Sequence, residues 1–119
     1  MPSKDIHINQ YKHNKSLLEN KCFDIEDSIY LDWVVTIIFY SAVHIVESVL
    51  SETEDHSGSH VVRNGFVERY VKLKPICDEY STLYRQSKKA RYMCAKYNKR
   101  KINDVLDLLK CIEAKLLAV

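Results

Sequence analysis

Apolar residues recur at helical spacing along this chain, and no stretch shows the two-residue alternation of a half-buried strand. The first helical stretch is predicted over residues 6–22, with Ile8, Tyr11, Lys15, Leu18 and Cys22 along one face. Phe23-Asp24-Ile25-Glu26-Asp27-Ser28 interrupts it, and Asp27 or Ser28 is suited to cap the next helix. That second helix, over residues 29–50, is wrapped almost completely in apolar side chains and is expected to be central.

Residues 51–58 read as an acidic polar loop, after which Ser59 can cap a third helix over residues 60–73, weakened midway by Gly65. Pro75 fits the first turn of a fourth helix, where its missing N–H costs nothing. Ile76, Tyr80, Leu83, Tyr84 and Ser87 form its inner stripe, which continues to Arg91. A basic segment, residues 93–101, leads to a last helix over 103–117 with Ile102, Val105, Leu109, Ile112 and Leu116 in register. The expectation is an all-α, up-and-down bundle of four to five helices forming one domain over residues 1–119.

Composition agrees, because two Gly and two Pro in 119 residues leave little for the turns of a sheet protein. Cys22, Cys77, Cys94 and Cys111 make no CxxC pair and no zinc-finger spacing, so reduced thiols are expected. The opening Pro2-Ser3-Lys4-Asp5 is polar, unlike a secretory leader. The apolar run 34–43 is shorter than the roughly 20 residues a bilayer requires. A cytoplasmic protein without membrane attachment is the expectation.

Charge changes the picture more than composition does. Residues 1–60 carry four Lys against ten acids, whereas residues 61–119 carry fourteen Lys or Arg against six. Such a split favours an anionic partner on the second half, or head-to-tail complementarity between subunits. Between Arg85 and Lys101 stand eight Lys or Arg and no acid, with Tyr84, Tyr92 and Tyr97 interleaved. Cations for phosphate plus aromatic rings for stacking are the means of holding single-stranded nucleic acid; a solvated charged face is the plainer alternative.

Candidate chemistry centres on one stripe of the second helix, Trp33, Tyr40, His44 and Glu47. His44 beside Glu47 is either an oriented imidazole or an interior polar pair that fixes helix register. Arg91 shares a stripe with buried apolar positions, and an inward Arg requires a carboxylate or an anionic ligand. Glu47 is the best internal acceptor for it, and phosphate the alternative. His44, Glu47, His60 and Arg91 are therefore the candidate catalytic set, with Arg63 as a further anion clamp. Arg63, Arg85, Lys88, Lys89, Arg91 and Tyr92 are the candidate phosphate or nucleic-acid contacts. His44-x-x-Glu47 has di-metal spacing and His56 and His60 stand four apart. No later helix offers a second Glu-x-x-His pair, so neither a metal nor another cofactor is expected.

The ordered set Asp32-Trp33, Phe39-Tyr40-Ser41-Ala42-Val43-His44-Ile45-Val46-Glu47, Ser59-His60-Val61-Val62-Arg63, Tyr80-Ser81-Thr82-Leu83-Tyr84 and Ser87-Lys88-Lys89-Ala90-Arg91-Tyr92 resembles the HEPN family of small helical bundles over residues 30–92. The resemblance implies a bundle that pairs into a homodimer. Many relatives act on RNA as metal-independent ribonucleases of toxin, immunity or stress systems; others are non-catalytic partners that bind nucleotides or proteins. A protein partner encoded in the same operon is the expectation if this chain is an interaction module. Ribonuclease relatives carry an Arg followed four to six residues later by a His. In this chain the last His is His60 and the first Arg is Arg63, so that motif is absent. The functional expectation is RNA or nucleotide binding through the basic half, with a divergent ribonuclease or a protein-interaction module as alternatives.

Overall fold

The computed structural model describes residues 2–53 and 57–117. His56 and part of the acidic loop lie outside the described residues. Five α-helices follow one another: α1 (Lys4–Ser16), α2 (Leu31–Leu50), α3 (His60–Arg69), α4 (Cys77–Tyr92) and α5 (Lys99–Leu116), with no strand among the described residues. α1, α4 and α5 all pack against α2, and α3 packs on α4.

α2 is central because thirteen of its twenty side chains are buried. Val34, Val35, Ile38, Phe39, Ala42, Ile45 and Val46 lose all contact with solvent, and they meet Tyr80 and Leu83 of α4 and Ile102, Leu109 and Ile112 of α5. Each such aliphatic or aromatic burial stabilises the fold by about 1.5–3 kcal/mol before chain entropy is counted. The hydroxyls carried inside by this helix find partners within it: Thr36 donates to Asp32 O, Ser41 to Ile37 O and Ser48 to Ile45 O. Extended through Thr53, this segment is long and apolar enough to cross a membrane by length and composition, although the shorter run 34–43 is not. Its most apolar window is 72% buried against the other helices, the environment of a core helix.

Neither Asp27 nor Ser28 caps α2, whose N-cap is Tyr30 without a side-chain bond, and Pro75 sits in a 3₁₀ turn, Lys74–Ile76, ahead of α4. Helix ends differ from the sequence expectation by more than two residues at three places, each for a local reason. α1 stops at Ser16 and tightens into a 3₁₀ turn, Leu17–Glu19, instead of reaching Cys22. Asn20 is extended there, and its side-chain oxygen accepts from Cys22 N–H. α3 ends at Arg69 rather than residue 73, because extended Tyr70 turns its carbonyl to Leu73 and Lys74 N–H and lets Leu73 plug the core. α5 starts at Lys99, four residues early, because Asn98 caps it by accepting from Lys101 N–H at 2.9 Å. Ser59 caps α3 as expected, accepting from Val62 N–H. All four cysteines are free thiols.

Candidate functional site

Three helices contribute to one polar cluster. α2 supplies Tyr40, His44 and Glu47 from a single stripe; α3 supplies His60 and Arg63, one turn apart; α4 supplies Ser87 and Arg91, also one turn apart. A continuous chain of hydrogen bonds joins most of them. Arg91 Nη1 donates to Tyr40 Oη at 2.5 Å, while Nε and Nη2 donate to Ser87 O and Ser87 Oγ, both at 3.2 Å. Tyr40 Oη lies 3.3 Å from His60 Nε2, and Arg63 Nη1 lies 3.0 Å from His60 Nδ1. Arg63 Nε then donates to Glu47 Oε1 at 2.7 Å, and Ser57 Oγ donates to the same oxygen.

A guanidinium can only donate, so His60 Nδ1 accepts and the imidazole proton sits on Nε2, facing the tyrosine oxygen. Burial, reinforced by the positive charges of Arg63 and Arg91, holds the His60 pKa below the usual histidine range. The ring is enclosed by Phe39, Tyr40 and Tyr84, with centroids 5.6–5.9 Å away. Arg91 stacks over Tyr40 and Tyr92, 5.3 and 5.2 Å from the ring centroids.

His44 takes a different partner. Its Nδ1 lies 3.0 Å from Nδ1 of His7, on α1, so one ring donates and the other accepts. Burial depresses the pKa of both rings; each also lowers through the charge of Arg63, against the opposing pull of Glu47. In this cluster, two buried polar atoms, His7 Nε2 and Glu47 Oε2, remain without a hydrogen-bond partner among the described residues.

The sequence expectation that Glu47 accepts from Arg91 is not what forms. Arg63 claims Glu47, and both side chains are nearly enclosed, 11% and 5% exposed. Arg91 reaches α2 about two turns earlier, at Tyr40. Arg63, expected among the phosphate contacts, is thus an interior residue. Apart from Arg91, the rest of the basic set faces outward: Arg85 donates to Thr82 Oγ1, Lys88 lies over the Tyr84 ring, Lys89 is exposed, and Tyr92 is 72% exposed. Sequence reasoning gave His7, Ser57 and Ser87 no role in the cluster. His7 stands one turn before Tyr11, and that i, i+4 relation was the available signal. The described residues contain no group of three or more His, Cys, Asp or Glu placed to hold a metal ion.

Comparison with known proteins returns nothing: no family model, curated protein or solved structure matches this chain. Function must therefore be argued from the residues themselves.

Proposed function

We propose that this chain is a HEPN-like bundle whose basic second half binds RNA or a nucleotide. The observation that carries this reading is the lack of compensation around residues 85–101. Of the eight Lys and Arg there, Lys99 alone makes an ion pair among the described residues, with Glu26 at 3.0 Å. Of the ten Lys and Arg elsewhere in the chain, five, Arg63, Lys4, Lys15, Lys72 and Lys115, have carboxylate partners among the described residues, against one of eight here. Like charges gathered without counter-charges repel one another, and a polyanion relieves that repulsion while releasing its own counterions. Tyr92, stacked on Arg91 and open to solvent, offers a base a ring to stack on.

Filter binding of a short single-stranded RNA tests this. If four to six phosphates are neutralised, log K against log salt falls with a slope of about −3 to −4. A flat profile, or no binding at low salt, overturns the RNA reading.

The ribonuclease alternative has less support. Both nitrogens of His60 are engaged, by Arg63 and by Tyr40, so no lone pair is free to take a proton from a ribose hydroxyl. A pairing role has an observation of its own. Leu17, Phe23, Tyr30, Trp33 and Ile37 line an almost wholly apolar recess of about 360 Å³, with Trp33 54% exposed. A Trp and a Tyr open to solvent beside such a recess are what a subunit or partner-protein contact uses. Light scattering that returns a dimer, lost on Trp33→Ser, supports a homodimer through this face; a monomer overturns it.

A further inference from the structure

We infer that the cleft between the first turn of α2 and the segment following α4 is a subsite for guanosine phosphate, with Asp32 reading the base and Arg91 and Lys96 holding the phosphate. This rests on the nucleotide-binding reading above and adds the identity of the base. The cleft measures about 470 Å³, within the range of about 300–1,000 Å³ typical of small-molecule sites. Ser28, Leu31 and Asp32 form one side; Arg91, Lys96 and Tyr97 form the other.

Asp32 is the informative residue. It is half-buried, it shares a cleft with two cations, and yet it makes no ion pair within 4 Å among the described residues. A carboxylate presents two acceptor oxygens side by side and no donor. Of the four RNA bases, guanine alone carries two adjacent donors, N1–H and N2–H, on its Watson–Crick edge. Adenine, cytosine and uracil each set an acceptor there, which would face the carboxylate lone pairs unpaired.

The opposite wall suits the remainder of the nucleotide. Tyr97 is anchored by its hydroxyl, which donates to Gln86 O at 3.0 Å, so the ring is held as a fixed surface. Burial, and after it the charge of Asp32, raises its pKa, consistent with the carboxylate lying close to the ring. Arg91 carries five N–H donors, of which three serve Ser87 and Tyr40, leaving two for a phosphate. Lys96 is exposed and has no carboxylate partner among the described residues. The same chemistry is presented by free guanosine monophosphate and by a guanosine within an RNA strand.

Two measurements on the full chain separate these cases. Calorimetry compares guanosine with adenosine monophosphate, and fluorescence anisotropy compares an all-uridine RNA decamer with one carrying a central guanosine. The expected result is at least tenfold tighter binding of the guanosine-containing ligand in one or both pairs. Preference in both indicates free nucleotide as a ligand, and preference in the decamers alone indicates RNA. Asp32→Asn and Asp32→Ala should each erase the preference while all-uridine affinity stays within twofold, which also shows that the variants fold. Equal binding of both decamers with no nucleotide preference overturns the subsite and leaves salt-dependent RNA binding standing. Absence of binding to either decamer at low salt, together with no preference for guanosine monophosphate, overturns both, whereas a preference in the mononucleotides alone keeps the subsite and removes RNA as its ligand. A preference that survives in both Asp32 variants removes Asp32 from the site.

Discussion

Two cationic regions of this protein are built on opposite terms. In the α2–α3 interior, Arg63 is enclosed and answered by Glu47, which in turn is answered by Ser57. Along residues 85–101, seven of eight cations have no carboxylate partner among the described residues, and six of those seven are exposed, Arg91 being half-buried. The difference teaches that charge alone does not mark a binding residue. Enclosure with a partner makes Arg63 part of the framework; exposure without one leaves Lys88, Lys89 and Lys96 available.

The contrast is broken most severely inside. Arg63→Ala leaves Glu47 buried without its cation and should cost about 3–5 kcal/mol, read as a lower urea midpoint. The double change Glu47→Leu with Arg63→Leu removes both charges and should recover most of that loss. If the single and double variants melt alike, the pair is not acting as a buried ion pair.

Acid should act next. His7, His44 and His60 are all held below the usual value of 6.5 in the folded protein, so the unfolded chain binds protons first as pH falls. Their contribution is complete above about pH 6.5 and lost progressively below it. Thermal melts at pH 7.5 and 5.5 should show a lower midpoint at the acid value, and a loss that shrinks when His44→Gln is introduced. A midpoint that rises on acidification contradicts the assignment.

The smallest effect on stability should come from the surface. Lys88→Ala with Lys89→Ala should change unfolding free energy by less than about 0.5 kcal/mol. The same variant should lower RNA affinity and flatten the salt slope by about 1–2. A stability change as large as that of Arg63→Ala would show these lysines to be structural after all.

Much of this was legible in the chain. The helical class, the central position of α2, the Ser59 cap and the inward turn of Arg91 all follow from spacing and cap chemistry. Pairing was not legible, because stripes say which side chains face inward but not which of two arginines arrives at a given carboxylate. Arg63 wins Glu47 because α3 approaches α2 there, a fact of packing between elements separated by a loop. The inward placing of His7 had a local signal in Tyr11, but its partner was illegible for the same reason: it lies 37 residues away on another helix. The early start of α5 was readable in principle from Asn98, whose capping pattern lay hidden within a run of lysines.

The slender anchoring of α3 carries a consequence for motion. Val67 is its one fully buried apolar side chain, so beyond that contact the helix is moored by the Arg63–Glu47 pair, by His60 against Tyr40 and Phe39, and by its neighbours on α4. A segment with so little apolar area opens at lower free energy than the body it rests on. Amide protons of residues 60–69 should therefore exchange with deuterium ahead of those in α2, and each such opening would bring the His60 imidazole out into water.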